Sequence, residues 1–350
     1  MEGFIELLSG NEIILKAALA AGADAFFGYP ITPTTEILQG WAREAKKNKE
    51  LIFLQTEDEP AAGFGVLGAA LGGRKAWTAT AGVGHLLIQD AVVVAEAMRI
   101  PFVAYIGQRG GPSTGTVIYS QQELSVARDG GNGEGFRVVL GASNLQELYD
   151  LTIMAFDIAW RYRIPVFVLG DGYLSKMTGE VDLSQKQRVT KSEPIIQNGK
   201  RVLNLRNCYS LEEEIAQVIK RELKDYAEIS RNVEKSEILR CVDADVVVFA
   251  WGTVGSAAKD AVQKLRKEGK KVGLFRPITL KPFGASRAKQ AVRNAKKILI
   301  AESSFGKFGR LVTESLFGVE GIEVERLYKP AEGVYSEEIE SKLRSMLDGT

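Results

Sequence analysis

The chain has 350 residues, 45% of them hydrophobic, with 45 basic against 44 acidic side chains and a formal net charge of +1. That length suggests two domains with proper cores, and the balanced charge implies no bulk attraction to nucleic acid or to an anionic membrane. One histidine (His85) and two distant cysteines (Cys208 and Cys241) remove most histidine-based acid–base, triad or metal chemistry. They also leave too few thiolates for an iron–sulfur cluster or a structural zinc site.

The opening MEGFIELLSGNE has neither a basic lead nor a long apolar run, so it does not read as a signal peptide. No run approaches eighteen apolar residues, so no membrane span is expected and a cytoplasmic protein is. Residues 1–178 then read as repeated βα units. Apolar runs at 24–28, 51–55, 75–81, 101–106, 137–140 and 165–170 predict strands, with helical segments such as 145–163 between most of them. Such alternation predicts a parallel sheet covered by helices on both faces.

Residues 179–239 differ in texture and read as a connector. The stretch 185–201 is polar and basic, broken by Pro194 and Asn198-Gly199, and 211–226 predicts one charged amphipathic helix whose acidic start and basic finish suit the helix dipole. A second α/β pattern fills 240–350. It has a strand at 245–251, the turn Gly252-Thr253-Val254-Gly255, a helix at 256–268, and further strands at 271–275, 297–301 and 322–326. No internal repeat or low-complexity tract is present.

Four strand-end turns of the first unit could carry chemistry. In Tyr29-Pro30-Ile31-Thr32-Pro33-Thr34-Thr35-Glu36 the two prolines suit a strand-to-helix junction, with Thr32 as N-cap and Pro33 at the first helical position. Open α/β sheets place ligands at such turns, although a well-capped helix alone would explain the segment. Gln55-Thr56-Glu57-Asp58-Glu59-Pro60 enters a helix rich in glycine (Gly63, Gly65, Gly68, Gly72, Gly73), which predicts close approach of another backbone or subunit around Glu59. Thr78-Ala79-Thr80-Ala81-Gly82-Val83-Gly84-His85 is a third such turn. His85 reads as a solvated or hydrogen-bonded helix-start histidine rather than a ligand.

The fourth turn, Gly107-Gln108-Arg109-Gly110-Gly111-Pro112-Ser113-Thr114-Gly115, presents an arginine suited to a planar carboxylate or phosphate. Thr32, Glu59 and Arg109 can converge on one crevice. A further glycine-rich loop, 129–135, predicts a mobile, lid-like segment. Gly170-Asp171-Gly172 with Asn198 imitates the GDG…N signature of diphosphate binding, but the helix and buried strand required between them are missing.

Together these motifs resemble the alpha (pyrimidine-binding) subunit of 2-oxoacid:ferredoxin oxidoreductases, of the 2-oxoisovalerate or 2-oxoglutarate type. The resemblance rests on GNE (10–12), GYPITPTTE (28–36), TEDEPAA (56–62), TATAGVG (78–84), QRGGPSTG (108–115) and GGNGE (130–134), in the family's order. The segment 250–283 is similar to the transketolase-C-terminal-like domain of that subunit. The implied fold class is α/β, a parallel-sheet thiamine-diphosphate-binding (pyrimidine-type) domain over 1–178 followed by a transketolase-C-terminal-like α/β domain over 240–350.

The resemblance implies oxidative decarboxylation of a 2-oxoacid with CoA to acyl-CoA and carbon dioxide, with electrons passed to ferredoxin. It places Glu59 against the cofactor's aminopyrimidine, where a carboxylate favours the imino tautomer that deprotonates the thiazolium carbon. Thr32 and Arg109 match substrate-binding positions, Ile31 and Pro30 line the same pocket, and Pro30 and Tyr29 adjoin the cofactor. Mg2+ and the iron–sulfur cluster are implied on partner chains: a beta subunit, with gamma and ferredoxin-like delta subunits in some members. Two departures stand out, Gly131-Asn132-Gly133 where many relatives have Gly-His-Gly, and Glu302-Ser303-Ser304-Phe305-Gly306 without the usual Asn and Gln. The substrate expectation leans toward a branched-chain or broad 2-oxoacid, with 2-oxoglutarate close behind. The rival readings are a ferredoxin-independent thiamine decarboxylase subunit and a non-catalytic scaffold.

Overall fold

The structure is a computed structural model that describes residues 5–184, 187–196 and 205–348. It begins with β1 (Ile5–Ser9), α1 (Gly10–Ala20), β2 (Ala25–Gly28), α2 (Thr35–Lys47), β3 (Ile52–Gln55), α3 (Glu59–Leu71) and β4 (Ala76–Thr80). Then follow α4 (Val83–Leu87), α5 (Gln89–Met98), β5 (Phe102–Gln108), α6 (Leu124–Asp129), β6 (Val138–Gly141), α7 (Leu145–Tyr162), β7 (Pro165–Asp171), α8 (Gly172–Lys176) and β8 (Thr178–Asp182). After α9 (Glu212–Val233) come β9 (Ser236–Leu239), β10 (Val246–Phe249), α10 (Gly252–Lys267), β11 (Val272–Pro277) and β12 (Thr279–Lys281). The remainder is α11 (Ala285–Ala291), β13 (Lys297–Glu302), α12 (Lys307–Ser315), β14 (Glu323–Tyr328) and α13 (Ser336–Asp348).

Seven strands form the first sheet, in the order β12-β6-β7-β5-β4-β2-β3. All its pairings are parallel except that of β12 with β6. Its central strands β4, β5 and β7 are buried along their whole length, as a sheet covered on both faces requires. One face carries Phe26, Trp41, Trp77 and Phe156 in edge and tilted ring contacts. Burying a phenylalanine of that kind stabilises the fold by roughly 3 kcal/mol. The second sheet runs β14-β13-β10-β11-β9, parallel except for β9.

Side chains fasten one unit to the other. Arg276 of β11 forks onto Glu147 at the start of α7 (2.7 and 2.9 Å), and its Nε donates to Glu237 at 2.8 Å. No helix among the described residues is long and apolar enough to cross a membrane.

Several expectations change at element ends. α2 starts at Thr35 with Thr34 at its N-cap, so Thr32 does not cap it and Pro33 is not its first residue. The reason is local: the N–H and hydroxyl of Thr34 both donate to the carbonyl of Ile31 (2.9 and 3.0 Å), closing residues 31–34 into a turn of their own. The Thr32–Pro33 bond is cis. α9 runs two turns beyond 226 because Ile229 and Val233 continue its apolar stripe into the core.

The glycines of α3 admit neighbours of the same chain. Gly63 faces Ala91 and Gly65 faces Phe27, while Gly68 faces open space. The base of the glycine-rich loop is pinned rather than free. Buried Arg137 donates to Gly130 O (2.8 Å) and to Gln89 (2.8 Å), it pairs with Glu96, and Lys281 donates to Arg128 O (2.7 Å). The exposed residues Asn132, Gly133 and Glu134 line a cleft with Val93, Ile215 and Val218.

Candidate active site

The carboxyl ends of β2, β3, β4 and β5 deliver the site. Glu59 is the first residue of α3, held there by Asp58, whose Oδ1 accepts the N–H of Ala61 (2.8 Å), and by Pro60 in the first turn. Its side chain is only 6% exposed. Burial pushes its carboxyl above the usual carboxylate range and Asp58 adds to this, while Arg109 opposes it. Among the described residues the carboxylate accepts only from its own backbone N–H.

Gly84 makes room for that carboxylate. A Cβ at this position would lie 2.5 Å from Glu59 Oε1 and would also collide with Thr80 Oγ1. The Thr80 hydroxyl is itself buried without a partner. Arg109, also 6% exposed, lies across Gly82, whose φ of 56° and missing Cβ let the guanidinium Nε pass. Arg109 Nη1 donates to the Thr32 carbonyl (3.0 Å), and its Nε has no partner.

The structure therefore brings Thr32 and Arg109 together by direct contact and sets Glu59 within the electrostatic reach of Arg109. Tyr29, Pro30 and Ile31 lie on the same turn as Thr32. Tyr29 is exposed there, and Pro30 and Ile31 are half-buried.

His85 is the hydrogen-bonded of the two expected alternatives, fully buried and edge-on to Phe167, with Nδ1 2.9 Å from Glu123 Oε2. Its partner was not foreseen: Glu123 is a hub. Its Oε1 accepts the N–H of Gly82 and that of Arg109 (both 3.0 Å), so one carboxylate ties the β4 turn to the β5 turn. No sequence signal marks it, because Glu123 lies in no periodic pattern and its partners are remote in the chain.

Asp171, of the imitation GDG motif, points inward and is fully used. Oδ1 accepts the N–H of Leu174 (2.8 Å) and Oδ2 accepts the hydroxyl of Thr253 (2.6 Å). Asn198 lies outside the described residues. Burial raises the Asp171 pKa to about 6, against the lowering effect of these hydrogen bonds. An unfolded aspartate titrates near ~4, so between those values the folded state binds more protons and stability falls as pH rises through 6. Asp171→Asn should abolish this decline, worth roughly 3 kcal/mol across the window. Melting temperatures from pH 4 to 8 check it, and an unchanged slope would refute it.

Glu59 with no partner beyond its own backbone N–H among the described residues, orphaned Thr80 Oγ1 and Arg109 Nε, and the open backbone at Gly84 fit a polar heteroaromatic ring and a carboxylate. Comparison with known proteins agrees. Residues 16–263 match the family described as pyruvate flavodoxin/ferredoxin oxidoreductase, thiamine diphosphate-binding, and residues 244–335 match pyruvate:ferredoxin oxidoreductase core domain II. The chain is 32% identical over 363 residues to the 2-oxoglutarate synthase subunit KorA of Methanocaldococcus jannaschii, covering 94% of this chain and 93% of the relative. It is 33% identical over 310 residues to the ketoisovalerate oxidoreductase subunit VorB of Methanothermobacter thermautotrophicus, covering 86% and 87%.

Among solved structures it resembles the 2-oxoglutarate:ferredoxin oxidoreductase of Magnetococcus marinus, with a TM-score of 0.88 at 22% identity, over 97% of this chain and 65% of that one. A split-gene transketolase aligns over 97% and 98% with a TM-score of 0.63 at 15% identity. These two likenesses are of fold.

Proposed function

The chain belongs to the pyruvate flavodoxin/ferredoxin oxidoreductase family, and from that premise we propose that it is the alpha subunit of a thiamine-diphosphate-dependent 2-oxoacid:ferredoxin oxidoreductase, converting a 2-oxoacid and CoA to acyl-CoA and carbon dioxide. The observation that carries this reading is the buried carboxylate of Glu59, which among the described residues accepts only from its own backbone N–H and lies within the electrostatic reach of Arg109, whose Nε is unpaired. Residues 1–178 form the pyrimidine-type domain in this reading, 179–239 the connector and 240–350 the transketolase-C-terminal-like domain.

Bound thiamine diphosphate supplies the carbon nucleophile and the electron sink for decarboxylation. The chain's own residues orient and gate that chemistry. Glu59 holds and releases a proton at the aminopyrimidine ring nitrogen, a task suited to a carboxyl whose pKa is raised by burial. Arg109 presents Nε to the substrate carboxylate, and the exposed Thr32 hydroxyl donates to the oxo group or the carboxylate. Tyr29, Pro30 and Ile31 wall the crevice and exclude water. Their apolar character favours 2-oxoisovalerate over 2-oxoglutarate.

A cluster needs four thiolates, and this chain has Cys208 exposed and Cys241 buried. The iron–sulfur cluster is therefore assigned to a beta subunit. Mg2+ is assigned there too, because Asp171 of the imitation GDG motif is already engaged by Leu174 and Thr253. Gamma and delta subunits are further partners and ferredoxin is the acceptor, in the cytoplasm. Native purification tests this. The complex is expected to contain thiamine diphosphate, iron and a cysteine-rich partner, and to form acyl-CoA with reduction of ferredoxin. Aldehyde without acceptor reduction would assign a ferredoxin-independent decarboxylase, and a chain without partner or thiamine would leave a scaffold.

A further inference from the structure

In the second sheet the chain passes from β10 to β11 on one side and returns through β13 on the other, so the winding reverses between β10 and β13. In open α/β sheets that reversal opens a crevice at the carboxyl ends of the two strands, where a ligand usually sits. Here the crevice holds a side chain from the first unit. Gln121, 2% exposed, donates from Nε2 to the carbonyl of Trp251 just beyond β10 (2.7 Å). Its Oε1 accepts the N–H of Ser303 just beyond β13 (2.9 Å), and its own N–H donates to the Ser303 carbonyl (2.9 Å). One planar carboxamide thus satisfies a donor and an acceptor on two adjacent strand ends.

The next two residues carry that anchorage to the arginine. Gln122 Oε1 accepts the N–H of Gly111 (2.6 Å), and Glu123 Oε1 accepts the N–H of Arg109 (3.0 Å). The backbone on both sides of Gly110 is therefore held by a segment whose first side chain is fixed in the other unit. Ser303 is braced in turn, its hydroxyl donating to the Glu332 carbonyl (2.6 Å).

We propose that Gln121 is a positioning residue for the 2-oxoacid: lodged in the switch-point crevice of the second sheet, it fixes the 121–123 segment and so the placement of the Arg109 guanidinium beside Thr32. This rests on the reading of Arg109 as the carboxylate-binding group. The second unit acts on the reaction by gripping the substrate loop rather than by touching substrate. Without that grip the arginine must be ordered by the substrate itself, and the cost appears in substrate binding.

Gln121→Glu keeps the shape but sets an acceptor against the Trp251 carbonyl, and Gln121→Asn cannot reach both strand ends. Assayed in the complex with partner subunits, each should raise the KM for the 2-oxoacid about tenfold, with kcat and the KM for CoA within about twofold. Amide exchange across 109–111 should quicken. A merely structural role would lower melting temperature and the yield of active complex and leave KM unmoved, and that result in a folded variant overturns the proposal. Arg109→Ala run in parallel separates the two failures. If it leaves KM unchanged the carboxylate reading falls, whereas if it raises KM and the Gln121 variants do not, only the positioning role falls.

Discussion

Replacing Glu59 by glutamine is expected to lower the turnover of the assembled complex about 10³-fold while thiamine diphosphate and partner subunits stay bound. The amide has the shape of the carboxyl and leaves the start of α3 intact, because the cap is made by Asp58 and not by Glu59. It fits the same space over Gly84. What it cannot do is give and take a proton at the ring nitrogen, and that exchange accounts for two to four decades of rate in general acid–base catalysis, or roughly 3–5 kcal/mol of barrier. Single-turnover rates together with cofactor content by mass spectrometry check the expectation. Normal turnover would remove Glu59 from the chemistry. Loss of cofactor in step with turnover would make it a holding group rather than a proton carrier.

Glu59 and Arg109 could be found in the sequence for a definite physical reason. Glu59 follows the exposed edge strand β3 at the start of a glycine-rich helix marked by Pro60, and Arg109 directly follows the buried parallel strand β5, which appears as a continuous apolar run. For the same reason β2, β4, β7 and β13 fall within a residue or two of the expected positions. Signals that depend on pairing across the chain were not legible. The strand β12 is three residues long and owes its existence to β6, far earlier in the sequence. The start of α2 was misplaced because the turn at 31–34 competes with helix for the same residues. Helix α10 starts at Gly252, separated from the end of β10 by two residues, where the segment Gly252-Thr253-Val254-Gly255 read as a turn. Glu123 and Gln121 have no local pattern at all, since their partners Gly82, Arg109, Trp251 and Ser303 are assembled only by the fold.

Arg109→Ala should raise the KM for the 2-oxoacid about 100-fold, with a smaller fall in kcat. The guanidinium is buried, it makes no ion pair with a carboxylate among the described residues, and Nε has no acceptor. A buried cation in that state is costly unless an anion arrives to pair with it. Hydrogen bonds to charged groups contribute about 1.5–3 kcal/mol each, so losing a forked contact accounts for the factor. Lysine at 109 should restore only part of it, since a point charge lacks the planar fork. Every 2-oxoacid carries the same carboxylate beside the same oxo group, so the penalty should be equal for 2-oxoisovalerate and 2-oxoglutarate. A penalty confined to 2-oxoglutarate would place the arginine on the distal carboxylate instead. The assignment of Thr32 and Arg109 to the reacting end of the substrate would then have to be abandoned.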